Sequence, residues 1–175
     1  MIRIPDPAQD PILEARLEAL LFTAREALTV RKLADCLEAD AAGVKQAMEA
    51  LQERYSGERR GVHLQEIAGG FRLLTNPTCA AAVQALKGKR ETERLSPAAL
   101  ETLAIVAYKQ PVSRAEVERI RGVAVGPILR QLMELDLIRV SGREDGIGRA
   151  LLYGTTRSFL DRFGLKNLKD LPASM

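Results

Sequence analysis

One histidine, His63, and two cysteines, Cys36 and Cys79, are all that this 175-residue sequence offers for imidazole or thiol chemistry. A general base needs a positioned partner, and His63 falls in a strand-like run with no serine or cysteine motif beside it that would make a triad or dyad. Two distant cysteines and one histidine fall short of the four-ligand spacings of structural zinc. No glycine-rich loop precedes a Lys-Ser or Lys-Thr pair, so a phosphate cradle of the P-loop kind is absent. The expectation is a protein that is not an enzyme, with no catalytic residues, no metal site and no cofactor. Cys36 lies in a helical pattern and Cys79 just after Asn76-Pro77, and two separate reduced thiols are expected in preference to a disulfide.

Recognition chemistry is better supplied. Tyr108-Lys109-Gln110-Pro111 joins an aromatic body to polar tips, and Arg114, Glu116, Glu118, Arg119 and Arg121 follow at once. A solvated helix face is the plain reading of those five charges, since exposed ions do little alone. The alternative is the rim of a binding surface.

The elements that must position these residues begin at Ser96, which can cap a helix, with Pro97 suited to the first helical position. Leu100, Leu103, Ala104 and Ala107 recur at helical spacing, and Gln110-Pro111 ends the run. Ile105 and Val106 lie outside that stripe. Either they meet the C-terminal helix around Phe159 and Phe163, or they line a groove for an amphipathic partner helix. Ser113 with Glu116 reads as a capping box opening a second helix. Val125, Ile128, Leu129, Leu132 and Leu135 give the stripe of a third, from Gly126 to Asp136. Leu137 to Val140 turns β-like, a polar loop runs from Ser141 to Arg149, and Ala150 to Tyr153 returns apolar. Three helices followed by a hairpin is the winged-helix plan.

The first half repeats that order. Ile12 to Ala24 is helical, with Leu13, Leu17, Leu20 and Leu21 on one face and Ile12, Ala15, Ala19 and Phe22 making the opposite side apolar too, so this helix wants more than one packing surface. Thr29 caps a second helix and Asp40 a third. GVHLQEIAGGFRLLTN then reads as two strands around a Gly69-Gly70 turn, and Asn76-Pro77 opens a short helix to Leu86, paralleled by Thr156 to Phe163. An internal duplication is implied, aligning Leu17, Glu18 and Leu20 with Leu100, Glu101 and Leu103, and Leu28-Thr29 with Val112-Ser113. Lys87 to Arg94 is charged and aperiodic, as a linker is.

With 46% hydrophobic residues the chain can bury a core unaided. It has no apolar run near the roughly 20 residues that a membrane helix needs, and its first residues lack the order of a signal peptide, so a cytoplasmic protein is expected. The net charge of +3 is spread thinly. The outward positions of the two third helices hold Lys45, Gln46, Glu49, Gln52 and Glu53, and Arg130, Gln131, Met133 and Glu134. Acids balance bases on both, which speaks against duplex recognition by these helices. The wing arginines Arg143 and Arg149 leave a weak backbone contact open.

The stretch LSPAALETLAIVAYKQPVSRAEVERIRGV from Leu95, with Gly142-Arg143, LLYGTTRSFLDRFGL from Leu151, LKDLP from Leu168, EALLF at Glu18 and GGFRLLTN at Gly69, closely resembles the bacterial segregation and condensation protein B family. The resemblance runs from Leu13 to Pro172. Two departures are Ala27, where the family usually has a proline, and IGRA at Ile147 to Ala150 in place of PGRP.

The resemblance implies a non-enzymatic subunit with two winged-helix domains, a homodimer formed mainly through the first, bound to the kleisin subunit (segregation and condensation protein A) of the SMC condensin and through it to an ATPase. The expected function is chromosome condensation and segregation at the nucleoid, with DNA contact weak or indirect. A dimeric winged-helix DNA-binding regulator is the alternative. The expected fold is α+β, predominantly helical, with two tandem winged-helix domains. Its parts are an arm (1–10), a dimerising domain (11–86), a linker (87–95), a kleisin-binding domain (96–165) and a tail (166–175). Ile105, Tyr108, Lys109, Arg114 and Arg121 are the candidate kleisin contacts. Leu13, Leu17, Leu21 and Phe22 are the candidate dimer contacts, with core packing an equal possibility for the first three.

Overall fold

The computed structural model describes residues 12–57, 59–87, 95–145 and 148–173. The expected arm, residues 88–94 of the expected linker and Ile147 of the wing departure lie outside them. The chain divides into two units, Met1–Arg90 and Glu91–Met175.

In the first unit, α1 (Leu13–Thr23), α2 (Val30–Leu37) and α3 (Ala41–Arg54) precede the antiparallel strands β1 (Val62–Ile67) and β2 (Gly70–Thr75), a 3-10 turn at Pro77–Cys79 and α4 (Ala80–Lys87). The caps follow from side-chain chemistry. Thr29 Oγ1 accepts from the Lys32 amide at 3.1 Å, and an Asp40 carboxylate oxygen accepts from the Ala42 and Gly43 amides, both at 3.0 Å. Leu17, Leu33, Val44, Met48 and Leu51 are sealed from solvent at the centre, where the helices meet one face of the hairpin through Leu64 and Phe71.

The hairpin turn sits one residue earlier than the sequence reading placed it. Ala68 and Gly69 are the two turn residues, at φ 52° and 69°, and Ile67 pairs with Gly70. Two positive φ values match the twist of the flanking strands. Gly70 therefore belongs to β2, and space is what demands glycine there: an added Cβ would lie 2.7 Å from both the carbonyl carbon and the oxygen of Leu28. That approach is fixed by two bonds across an isolated bridge, Leu28 N–H to Phe71 O at 2.9 Å and Phe71 N–H to Leu28 O at 2.8 Å.

The second unit contains α5 (Pro97–Lys109), β3 (Val112–Ser113), α6 (Arg114–Arg121), α7 (Gly126–Glu134), β4 (Ile138–Arg143), β5 (Leu151–Thr155) and α8 (Arg157–Phe163), with a 3-10 turn at Leu168–Asp170. Ser96 Oγ accepts from the Ala99 amide at 3.2 Å, as its position predicts. The Ser113 capping box is absent. Ser113 is buried in β3 and makes no side-chain cap bond, and Glu116 bonds Arg119 instead, at 2.6 and 2.9 Å. β3 itself was not legible beforehand. It makes the expected hairpin a three-stranded antiparallel sheet of order β3-β5-β4, with β4 running three residues past the expected Val140 end through a bulge between Val140 and Gly142.

The fold is α+β and mostly helical, with a winged-helix plan in each unit. The repeat is visible in the bridging segments, since Leu28 pairs with Phe71 on β2 as Val112 pairs with Tyr153 on β5. Along the first helices, however, the aligned leucines do not all share an environment. Leu17 is sealed and Leu100 is 45% exposed, whereas the buried series Leu13, Leu17, Leu21 corresponds in spacing to Ala99, Leu103, Ala107. Leu20 and its counterpart Leu103 both face the core, half-buried and sealed respectively, so the buried faces are offset by three residues from the alignment of the letters.

Candidate docking surfaces

Helix α5 carries the second unit's main candidate site because it is apolar on two sides. Ala99, Leu103, Val106 and Ala107 enter the core with Thr102, whose hydroxyl donates to the Ala98 carbonyl at 2.8 Å. A different row, Leu100, Ala104 and Tyr108 at i, i+4, i+8, stays exposed. This row forms one wall of a hollow of about 360 Å³. Phe159 and Phe163 of α8, in ring contact at 4.9 Å, form another, and Leu165, Leu171 and Pro172 line the rest. Every lining residue is apolar apart from the Tyr108 hydroxyl, which donates to the Pro172 carbonyl at 2.7 Å. This hollow lies on another side of α5 from Ile105 and Val106, the residues named for a groove. Ile105 is half-buried against the core and Val106 wholly buried, so neither lines it.

The remaining candidates on this unit divide. Lys109 and Arg114 are exposed, Arg114 pairing with Glu118 at 2.8 Å. Arg121 lies inside the unit. Its side chain is 12% exposed, and it donates to the Ala98 carbonyl at 3.0 Å and pairs with Glu101 at 2.7 Å, fastening the end of α6 to the start of α5. The last turn of α6 packs against the first turn of α5, a proximity that no local pattern encodes.

Glu118 has a second partner that sequence reading missed. Its carboxylate accepts from the Val125 amide at 3.0 Å, a donor left over at the start of α7, where no side chain of Val125 itself can cap. That bond first, and the Arg114 guanidinium second, hold the Glu118 carboxyl below its ordinary range. A lowered folded-state value stabilises above the unfolded value, and the benefit is lost as pH falls through the folded one. The melting temperature of the native chain is therefore expected to drop on acidification from about pH 5 to pH 3 by more than that of Glu118→Gln, which keeps the acceptor and loses the charge. Parallel profiles from circular dichroism melts would remove Glu118 from the acid response.

On the first unit the candidates also separate. Leu13, Leu17 and Leu21 are core residues of α1, at 9%, 0% and 3% exposure, while Phe22 is 82% exposed. Ile12, Ala15 and Ala19 are exposed with it. The opposite apolar side read from the sequence is thus an uncovered stripe.

The outward residues of α3 and α7 set acids beside bases, with Lys45 and Glu49 paired at 4.0 Å on α3 and Arg130 near Glu134 in sequence on α7. His63 Nε2 faces Gln65 Oε1 at 3.3 Å, Cys36 and Cys79 are free thiols, and no group of three or more metal-ligating side chains is gathered among the described residues. No described helix is long and apolar enough to cross a membrane.

Two winged-helix units, one with an apolar hollow and the other with an apolar stripe, define a tandem winged-helix protein. The chain belongs to the family of segregation and condensation complex subunit ScpB, whose family model matches residues 15–174. It is 49% identical over 160 residues to segregation and condensation protein B of Geobacillus thermodenitrificans (strain NG80-2), across 91% of this chain and 77% of that one. Among solved structures, ScpB from Mycobacterium tuberculosis is 35% identical and covers 91% of this chain and 98% of that one, with a TM-score of 0.41. A dimer of ScpB N-terminal domain complexed with ScpA peptide is 35% identical and covers 42% of this chain and 91% of that one, with a TM-score of 0.40.

Proposed function

We propose that the chain is a non-enzymatic, homodimeric adaptor that binds the kleisin of a bacterial SMC condensin and takes part in chromosome condensation and segregation, in the cytoplasm at the nucleoid. In this reading the domain of residues 11–86 dimerises and the domain of residues 96–165 receives the kleisin. Family membership supports the complex to which it belongs. The single structural observation that carries the reading is the hollow between α5 and α8, whose Leu100, Ala104, Tyr108 row has the spacing that takes an amphipathic segment. Tyr108 stands at the lip with Lys109 beyond it, while Arg114, exposed at the start of α6 beside Glu118 and Gly126, is not among the residues that line the hollow.

Scaffolding is the mechanism. Two chains present two hollows, and an extended kleisin segment is ordered against them at the cost of its own conformational entropy. The test is a calorimetric titration of the full chain with the purified kleisin subunit. Leu100→Asp, at a position already 45% exposed, is expected to weaken the complex at least about tenfold while leaving the melting temperature within a degree or two. Unchanged affinity would mean that the kleisin docks elsewhere.

A further inference from the structure

The hollow beside α5 is closed at one end by the chain itself. Gly164, at φ 68°, ends α8 in the left-handed conformation and turns the backbone, and the Leu165 amide then bonds to the Leu160 carbonyl at 2.9 Å. Beyond it the chain forms a hook. An Asp170 carboxylate oxygen accepts from the Lys166 and Asn167 amides at 2.9 and 3.1 Å, and the Asn167 side-chain oxygen accepts from the Lys169 amide at 2.9 Å. Those bonds lie within the hook, so its shape is set locally. Leu171 and Pro172 follow and come to rest on the hollow, where both line the wall.

Leu171 is half-buried at φ -60° and ψ 134°, in the polyproline range, and Pro172 is exposed, with its carbonyl accepting from the Tyr108 hydroxyl at 2.7 Å. An extended apolar residue and proline, laid against an aromatic side chain whose polar tip takes a backbone carbonyl, is how grooves hold proline-bearing peptides of other proteins. Here the peptide is the chain's own. Tyr108 is also the last position of the exposed row Leu100, Ala104, Tyr108, so a guest that anchors along the whole row must take the Tyr108 end from Pro172. The hold is of a kind that can be exchanged. Tyr108 is 44% exposed and Leu171 only half-buried, and a hydrogen bond in reach of water adds little net stability because water replaces it. The covalent tether meanwhile keeps the strap at a high effective concentration, ready to close again when a guest leaves.

We propose that residues 165–172 form a strap whose Leu171-Pro172 pair competes with the partner segment for the Tyr108 end of the hollow, and that the kleisin docks by displacing it. This rests on the kleisin reading above and adds a built-in regulation of that site. A segment that reaches only Leu100 and Ala104 leaves the strap closed, and one that also reaches Tyr108 opens it.

The test is the calorimetric titration with purified kleisin, carried to the strap. A Leu171→Gly, Pro172→Gly double variant of the full chain removes both side chains and the fixed backbone angle that hold the strap down. It should bind kleisin about fivefold more tightly than the native chain, as expected of a site closed about four-fifths of the time. Asp170→Ala, at a residue that does not line the hollow, loosens the hook and should move the affinity the same way by about twofold; it decides alone if the double variant fails to fold. In nuclear magnetic resonance spectra, proximity signals between the Tyr108 ring and Pro172 are expected in the free native chain and should vanish at kleisin saturation. If Leu100→Asp leaves kleisin affinity unchanged, the docking reading falls and the competition falls with it. If Leu100→Asp weakens the complex but the strap variants bind no more tightly than the native chain, or the Tyr108–Pro172 signals persist in the saturated complex, the strap is a fixed wall of the site: the competition is overturned and the docking stands.

Discussion

Gly70→Ala is expected to cost the first unit about 3 kcal/mol, enough to leave a small domain largely unfolded in mild denaturant. The added methyl would sit 2.7 Å from the Leu28 carbonyl carbon and oxygen and 3.0 Å from the Thr29 nitrogen. All three atoms are backbone, so no side chain can swing aside. The two bonds that join Leu28 to Phe71 must break or stretch to admit it, and the helix that Thr29 caps starts at the next residue. Gly69→Ala is the natural comparison. Gly69 has φ 69° but open space around its Cβ position, so alanine there suffers only the left-handed backbone penalty of about 1 kcal/mol. Urea titrations of both variants, followed by circular dichroism, separate steric from conformational demand. If Gly70→Ala is no worse than Gly69→Ala, the close approach of Leu28 is not what requires glycine.

Arg121→Ala should destabilise the second unit by about 2 kcal/mol. Its guanidinium is mostly withdrawn from water and serves the Ala98 carbonyl and the Glu101 carboxylate, with the Thr102 hydroxyl at 3.5 Å. Truncation leaves the Ala98 carbonyl with only the Thr102 hydroxyl beside its helical role and unfastens α6 from α5. A lysine could replace the charge but lacks the fork that serves carbonyl and carboxylate together, so Arg121→Lys should recover only part of the loss. Thermal melts read the stability, and the kleisin titration reads the alternative. A variant that melts like the native chain but binds kleisin poorly would return Arg121 to the rim of the partner surface.

What could be read beforehand divides along local and non-local lines. Ser96, Thr29 and Asp40 each cap the helix they were expected to cap, because a cap is settled by one side chain and the next three residues. Ser113 has the same local signature and fails, because its backbone is drawn into β3 beside Leu152, nearly forty positions away in sequence. Helix α5 shows the same boundary. Its two apolar sides were evident, but Ala99 and Thr102 are small or polar and look like surface, so Leu100 and Ala104 were assigned to the core that those two residues occupy. Arg121 was unreadable for a related reason, since nothing in a run of alternating charges tells which one will find a carbonyl on another helix. The stripe on α1 was legible in full, because an apolar side opposite an apolar core face needs only the helical period to be seen.

In both units the residue that follows the first helix and its short connection is stitched to the strand that closes the hairpin, Leu28 to Phe71 and Val112 to Tyr153. Natural variation in chain length should respect those stitches. The connection between the first two helices is residues 24–29 in one unit and 110–113 in the other, so the same stitch accepts two lengths of chain ahead of it, and the tip at Gly69 opens onto empty space. Lineages that lengthen this scaffold are therefore expected to do so at the hairpin ends or ahead of the stitch, keeping the stitched pair itself.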